Sequence, residues 1–275
     1  MTPDRRQAAR DLLAFYVEAG VDAPLGETAN DWLSEPVAGS LPADAPAAIE
    51  AAPAPAPMRP RLERATPAAP VAAAPAAPDV AVMAAREAAR SAATLDDLRA
   101  ILDRFDGCAL KATASRLVFA DGNPKARLMF VGEAPGYEED QQGLAFVGRS
   151  GQLLDRMLAA IGLDRTQAYI ANVVPWRPPG NRTPTPIETQ ICLPFIQRQI
   201  ELANPDVLVT VGQPSTGALL GVQGITKNRG RWFAYNTGTR EIRAMPMLHP
   251  AYLLRTPIAK RHAWRDMLTI KAALG

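Results

Sequence analysis

Short apolar runs alternate with helix-type patterns along the second half of the chain. The apolar runs predict strands at 128–131, 169–174, 206–211, 231–235 and 242–247. Apolar residues at helical spacing predict helices at 84–104, 151–161, 186–203, 214–220 and 258–274. Strands that alternate with helices are typical of a mainly parallel sheet covered on both faces. The predicted fold class is therefore α/β, a three-layer α/β/α sandwich.

The N-terminal part of the chain has a different pattern. Apolar positions at helical spacing predict a short amphipathic helix within residues 1–33. Residues 34–82 are rich in alanine and proline, which opposes regular helix or sheet and leaves little to bury, so we expect a disordered linker. Residues 83–275 are expected to form one domain. The N-terminal helix could recruit a protein partner or serve only solubility, and the sequence favours neither.

Composition narrows the class of protein. The chain has 275 residues, a formal net charge of +2, two cysteines and two histidines. Two cysteines are too few for a disulfide framework and fit a reducing compartment, and two histidines argue against a histidine-built metal site. No apolar run approaches the length of a membrane span, and no signal segment opens the chain. We therefore expect a cytoplasmic protein that does not bind membranes.

Polar loops rich in glycine or proline follow three of the predicted strands. Glu133 lies just after the first strand, Asn172 closes the second apolar run, and His249 follows the last strand. In open α/β sheets, loops at the carboxyl ends of strands converge on one crevice. We therefore expect a carboxylate, a carboxamide and an imidazole to face one another across a single pocket.

Each of these side chains has an ordinary explanation beside a functional one. Glu133 follows a buried strand, where a charged side chain is unfavourable unless it is paired or has a function. Asn172 could form a turn, or its carboxamide could read the imide edge of a pyrimidine. Phe146 could belong to the core or could stack on a planar ring. His249 could be structural, although it is one of only two histidines and lies at a strand end.

Three basic clusters lie in segments expected at the same edge of the sheet. Their arginines include Arg177, Arg182, Arg229 and Arg255. Solvated surfaces usually explain such clusters, but three at one edge are better explained by contacts with a phosphate backbone. Two leucines precede Arg255, and an apolar wedge beside basic residues suits insertion into a base stack.

From about Cys108 to the C-terminus, the sequence resembles the family 4 uracil-DNA glycosylases of the uracil-DNA glycosylase superfamily. The resemblance covers nearly all of the expected domain, and its motifs occur in the family's order. The matching segments are Gly-Glu-Ala-Pro-Gly at 132–136, Glu-Asp at 139–140, Gly-Leu-Ala-Phe-Val-Gly at 143–148, Asn-Val-Val-Pro-Trp-Arg-Pro-Pro-Gly-Asn-Arg at 172–182, Cys192 and His-Pro at 249–250.

The resemblance implies roles for the motif residues. Gly132 and Glu133 match the first motif, whose acid lies near the catalytic water and the flipped base. Glu139 matches the acid beside uracil C5 that excludes the methyl group of thymine. Phe146 matches the aromatic residue that stacks on uracil, and Asn172 the carboxamide that reads its edge.

Two further matches lie in the last motif. His249 matches the histidine that hydrogen-bonds uracil O2, where negative charge develops as the glycosidic bond breaks. Leu253 resembles, more loosely, the wedge that fills the gap left by the extruded nucleotide.

The family typically carries a [4Fe–4S] cluster held by four cysteines. Cys108 and Cys192 match two of them, while Phe105 and Trp176 occupy the other two positions and cannot ligate iron. We predict no cofactor, with the two aromatic side chains filling the vacated volume. In the alternative, another ligand such as Asp106 completes a cluster.

The sequence thus predicts a monofunctional uracil-DNA glycosylase that acts as a monomer on uracil-containing DNA and leaves an abasic site. The motifs contain no lysine, so we expect no Schiff-base lyase step. A related branch of the superfamily forms a covalent bond to the abasic product through a histidine in an inserted loop after the second motif. Here that loop, 182–186, is short and contains no histidine, so we do not expect such a bond. One alternative is a non-catalytic DNA-binding or damage-sensing module on the same fold. A nucleotide-binding module is disfavoured by the acids of the first loop.

Overall fold

The computed structural model describes residues 78–275, so the expected N-terminal helix and most of the linker lie outside the described residues. The first helix, α1 (Pro78–Ser91), begins ahead of the expected domain boundary at residue 83. Pro78 takes the first helical position, where its missing N–H is tolerated, and Asp79 lies in the first turn. No proline follows in α1, so the helix continues, and Ala81, Ala85 and Ala89 pack into the core.

The helix predicted at 84–104 is two helices, α1 and α2 (Leu95–Arg104). Thr94 is the N-cap of α2: its hydroxyl accepts a hydrogen bond from the Asp97 N–H at 3.1 Å. The Asp97 carboxylate in turn accepts from the Thr94 N–H at 2.9 Å. This reciprocal cap fixes the start of α2 and thereby ends the preceding helix.

Six strands form one sheet in the order β1-β3-β2-β4-β6-β5. The inner four strands are parallel and the two edge strands are antiparallel to their neighbours, which confirms the mainly parallel sheet. The strands are β1 (Asp121–Gly122), β2 (Leu128–Gly132), β3 (Ala168–Asn172), β4 (Val207–Val211), β5 (Phe233–Asn236) and β6 (Glu241–Met247).

The register of the parallel strands sets the position of the three polar loops. Gly132, at the end of β2, pairs with Asn172 at the end of β3. Val211, at the end of β4, pairs with Met247 at the end of β6. The segments that follow these strands therefore leave the sheet along one edge.

Helices cover both faces of the sheet, which confirms the three-layer sandwich. Phe130 and its same-face neighbours pack with Leu154 and Met267 in one cluster, whereas Val131 belongs to a second cluster with Leu98 and Phe195. The remaining helices are α3 (Tyr137–Gln142), α4 (Arg149–Ala160), α5 (Pro186–Ala203), α6 (Gln213–Leu220), α7 (Ile225–Asn228), α8 (Pro250–Arg255) and α9 (Lys260–Leu274).

The sequence pattern missed the short elements. Helices α3 and α8 have six residues each, too few to show a helical period, and α3 lies in the acidic loop that was expected to be irregular. The long helix α5, in contrast, has the expected bounds, and Thr185 caps its first turn. Every helix in the described range is too short or too polar to span a lipid bilayer.

Candidate active site

A cleft of about 810 Å³ opens at the carboxyl edge of the sheet. Seven of the predicted site residues line it: Glu133, Glu139, Phe146, Asn172, Arg182, His249 and Arg255. The structure therefore brings together the carboxylate, the carboxamide and the imidazole that the sequence predicted to meet.

Gly132 allows two of these side chains to meet over the end of β2. A Cβ atom at this position would lie 2.5 Å from the Asn172 Oδ1 atom and 2.6 Å from the Phe146 ring. A larger residue would displace both groups. The role of Gly132 is therefore to leave space for the neighbouring side chains.

Asn172 carries an unsatisfied acceptor into the cleft. The residue is only 4% exposed, and its Oδ1 atom is buried without a hydrogen-bond partner within residues 78–275. A buried amide oxygen normally has a donor, because leaving it unpaired is unfavourable by about 1–3 kcal/mol. This atom is therefore available to a ligand N–H group.

His249 is a neutral hydrogen-bond donor to the cleft. Its Nδ1 atom accepts a hydrogen bond at 3.1 Å from the Ala251 N–H at the start of α8. Burial, with a smaller contribution from Arg255, lowers the pKa of His249 to about 4. The neutral ring therefore carries its proton on Nε2, because Nδ1 acts as the acceptor.

Phe146 forms a flat wall next to this imidazole. The ring centroids of Phe146 and His249 are 5.6 Å apart, and the ring planes differ by 32°. Phe146 is 5% exposed but lines the cleft, so it belongs both to the core and to the site. The sequence had left these two roles as alternatives.

Glu133 is a carboxylate held partly out of water. Burial raises its pKa, and a hydrogen bond from the Thr183 side chain opposes this effect. Its Oε1 atom is buried with no partner in the described part of the chain. Such a group can hold a water molecule or accept a proton from it.

Glu139 is held rigidly by backbone groups. Its Oε2 atom accepts from the Gly136 N–H at 3.0 Å, and its Oε1 atom accepts from the Gly148 N–H at 2.8 Å. The carboxylate thus ties the start of α3 to the start of α4. Both oxygen atoms are in use, so the side chain forms a fixed part of the cleft wall.

The four predicted DNA-binding arginines differ in their positions relative to the cleft. Arg182 and Arg255 line the cleft, and Arg182 also forms a bidentate pair with Glu188 at 2.7 and 2.9 Å. The Arg177 guanidinium donates to the Asn181 side chain at 2.7 Å and lies 5.0 Å from the Tyr137 ring centroid. Arg177 is thereby engaged within the protein, next to the cleft rather than in its lining.

Arg229 and Leu253 do not match their predicted positions. The Arg229 guanidinium forms a two-point ion pair with the buried Asp266, and Arg229 does not line the cleft. Leu253 is completely buried and packs with Leu248 and Ala263. An internal leucine cannot be the exposed wedge that was expected.

Tyr252 and Leu254 are exposed large apolar side chains of α8. The Tyr252 side chain is 41% exposed and lines the cleft, whereas Leu254 does not line it. The sequence pattern missed Tyr252 because α8 was not predicted, and the helical phase decides which side chain points inward. Arg165, which contacts the Phe146 backbone, was also missed because it lies in a turn before β3 with no motif around it.

The positions of the family's cluster ligands are filled mainly by apolar groups. Cys108 and Cys192 are buried free thiols with their Sγ atoms 3.9 Å apart. Trp176 is 2% exposed in the same core cluster, and Phe105 packs edge-on against Phe195 at 4.9 Å. Among residues 78–275, no three His, Cys, Asp or Glu side chains are grouped to hold a metal ion. The donor set does not fit a four-thiolate cluster.

The lowered pKa of His249 predicts a pH dependence of stability. The unfolded chain binds a proton at His249 near pH 6.5, whereas the folded protein binds it only near pH 4. The free energy of unfolding should therefore fall as the pH is lowered from 6.5 toward 4. Thermal unfolding at pH 7 and pH 5 should show a smaller loss of Tm for His249→Asn than for the native protein.

The same comparison contains its control. Glu133, whose pKa is raised, is present in both proteins, so its own contribution cancels. Equal pH dependence of the two Tm values would show that His249 is not held neutral by burial.

Comparison with known proteins agrees with this geometry. The family model described as the uracil DNA glycosylase superfamily matches residues 119–268. A type-4 uracil-DNA glycosylase of Thermotoga maritima is 45% identical over 152 residues, which are 54% of this chain and 77% of that protein. The type-4 enzyme of Sulfurisphaera tokodaii is 40% identical over 170 residues, 60% of this chain and 77% of that protein.

A third relative extends the match. The type-4 uracil-DNA glycosylase of Archaeoglobus fulgidus is 37% identical over 187 residues, which are 66% of this chain and 94% of that protein. The resemblance seen in the sequence motifs is confirmed, and the chain belongs to the uracil-DNA glycosylase superfamily.

Proposed function

We propose that this protein is a monofunctional uracil-DNA glycosylase, which hydrolyses the N-glycosidic bond of uracil in DNA and leaves an abasic site. One observation carries the proposal: the unpaired buried oxygen of Asn172 lies in the same cleft as the Phe146 ring and the neutral donor His249. The relatives are named type-4 uracil-DNA glycosylases. A module that only binds DNA would have no need for this set of groups.

Asn172 selects the base, and Phe146 holds it by stacking. The target nucleotide must leave the base stack at a cost of a few kcal/mol. The free Oδ1 atom of Asn172 accepts the imide N–H of uracil, and its amide N–H group donates to the adjacent carbonyl. Cytosine lacks that imide proton, so its ring would leave the buried acceptor unpaired. Phe146 stacks on the ring without regard to its edge.

Glu139 excludes thymine. Because the Gly136 and Gly148 N–H groups hold both of its oxygen atoms, the carboxylate cannot rotate away to admit a methyl group at C5. The two backbone hydrogen bonds thus support a steric selection that a freely rotating side chain would not provide.

His249 and Glu133 carry the chemical step. As the glycosidic bond breaks, its electron pair leaves with uracil and the charge develops on O2, where the Nε2–H of His249 donates. One such preorganised donor is worth about 3 kcal/mol. The Glu133 carboxylate orients a water molecule whose oxygen bonds to the sugar C1′ atom. The same carboxylate accepts the proton that the water loses. No lysine or covalent enzyme intermediate takes part.

Arg182 and Arg255 bind the DNA backbone beside the cleft. Both lie on its lining, where a phosphate of the flipped nucleotide or its neighbour would pass. Arg177 contributes through its stacking on Tyr137, which stiffens the adjacent loop. We propose that the protein acts on DNA as a monomer.

No iron–sulfur cluster takes part in this proposal. Cys108 and Cys192 supply two thiols, but Phe105 and Trp176 offer no ligand at the other two positions. Asp106, the alternative ligand, forms an ion pair with Lys111 at 2.7 Å, and its side chain is 87% exposed. The loop that presents Asn172 is braced by aromatic packing instead.

The first prediction from the proposed function concerns recognition and catalysis. Asn172→Ala and His249→Ala should each lower the rate of uracil release by about 10²–10³-fold, because each removes one preorganised polar contact. The measurement is cleavage of a uracil-containing oligonucleotide after alkali treatment. Gln199→Ala and His262→Ala are matched controls. Gln199 is another buried carboxamide, His262 is the second histidine, and neither residue lines the cleft. Near-native rates for either cleft variant would disprove its role.

The second prediction concerns the wedge. Tyr252→Ala should slow uracil release from duplex DNA about tenfold and change release from single strands little, because only a duplex leaves a gap to fill. Leu253→Ala should instead lower the free energy of unfolding by about 2–5 kcal/mol through a core cavity. Leu268→Ala, on the exposed face of α9, is the neutral control. Equal losses on both substrates would exclude a wedge at Tyr252.

The third prediction concerns the cofactor. Protein purified without oxygen should contain less than about one iron per four chains and lack the visible absorption of an iron–sulfur centre. Cys108→Ala combined with Cys192→Ala should retain uracil release. About four irons per chain, or loss of iron and activity together in the double variant, would contradict the proposed packing.

A further inference from the structure

Phe146 has a backbone conformation that is unusual for an aromatic residue. Its φ angle is +56°, in the left-handed region. Within residues 78–275, the other residues with positive φ are glycines and two asparagines, which tolerate this region. A strained conformation of this kind persists only where the surroundings enforce it, and it is often found at functional sites.

Arg165 supplies that enforcement from outside the cleft. Its guanidinium donates one hydrogen bond to the Phe146 carbonyl oxygen and another, at 3.1 Å, to the Ala145 carbonyl oxygen. The same side chain is anchored by the Asp155 carboxylate of α4 at 2.7 Å and by the Asp121 carboxylate of β1. Two fixed carboxylates therefore hold the guanidinium, which in turn holds two successive peptide groups.

The position of Arg165 in the chain couples two parts of the site. It lies in the turn that leads directly into β3, and β3 ends at Asn172. One segment thus supports the stacking ring at its start and presents the carboxamide at its end. The rigid fork of an arginine suits this task, because it can direct separate N–H groups at several acceptors.

Helix α4 closes the remaining side of the Phe146 backbone. A Cβ atom at Gly151 would lie 1.6 Å from the Phe146 carbonyl oxygen, so only glycine permits this approach. The carbonyl is therefore confined between the α4 backbone and the Arg165 guanidinium. Loss of the guanidinium would leave it packed on one side only.

We propose that Arg165 is a positioning residue for uracil recognition: it fixes the Phe146 ring at the stacking position by holding the carbonyl groups of Ala145 and Phe146, and with them the left-handed backbone at Phe146. The inference rests on the proposed stacking role of Phe146. It adds a residue that does not touch the base and lies outside the matched motifs.

The test compares Arg165→Met with Arg198→Met. Arg198 is a close match, because it also donates to a backbone carbonyl oxygen, that of Ala92, and pairs with a carboxylate, that of Glu201. The side chains of Arg165 and Arg198 are 24% and 23% exposed, and Arg198 is not part of the cleft lining. Loss of stability should therefore be similar in the two variants.

Only Arg165→Met should alter recognition. The KM for a uracil oligonucleotide and the inhibition constant for free uracil should each rise about tenfold, because stacking holds the base in both the bound and the transition state. The value of kcat should change little. Arg198→Met should keep native values of all three. A variant of Arg165 that loses stability but keeps native KM and uracil inhibition would overturn the proposal.

A double-mutant cycle makes the assignment specific. Phe146→Ala should raise the same two constants, and adding Arg165→Met to it should raise them no further. Additive effects would mean that Arg165 acts elsewhere. If Phe146→Ala alone left both constants unchanged, the stacking role would fail and the inference with it, while uracil release by the native protein would still stand.

A conservative variant covers the case in which Arg165→Met does not fold. In Arg165→Lys, one ammonium group cannot serve two carbonyls and two carboxylates together. Both the KM and the uracil inhibition constant are expected to rise, by less than in Arg165→Met. Native values for the lysine variant would overturn the need for the guanidinium fork.

Discussion

The close approach at the end of β2 determines the geometry of the cleft. Gly132 pairs with Asn172 in the sheet, and the missing side chain at Gly132 leaves room for the Asn172 amide and the Phe146 ring. The parallel register then fixes where Glu133 and His249 leave the sheet. In the proposed function, recognition, stacking and chemistry therefore depend on one backbone pairing between two buried strands.

Polar groups in the cleft are prepared for a ligand in different ways. Asn172 presents an unpaired oxygen, whereas His249 has its acceptor nitrogen occupied by a backbone N–H group and its donor nitrogen free. Glu139 is fully hydrogen-bonded and acts by its position. In the proposed function, these groups need little reorganisation when a base enters the cleft, which is the condition for strong electrostatic stabilisation.

In the proposed function, aromatic packing takes the place of an iron–sulfur cluster beside the Asn172 loop. Trp176 lies in the loop between Asn172 and the arginine-rich turn, and it is buried in the core cluster that also contains both cysteines. Apolar burial can brace a loop as a covalent cluster does, provided that the volume is filled. Glu133, Asn172 and His249 line the cleft next to this packed region.

The sequence by itself determined the α/β class, the long helices and the polar residues at three strand ends, because these depend on local periodicity and on the general geometry of parallel sheets. It placed Glu133, Asn172 and His249 correctly in one cleft. Only the tertiary structure decided that Tyr252 rather than Leu253 is exposed, that Asp266 binds Arg229, and that Arg165 holds the Phe146 backbone. These outcomes depend on the phase of a short helix and on contacts between distant segments, which leave no periodic signal in the chain.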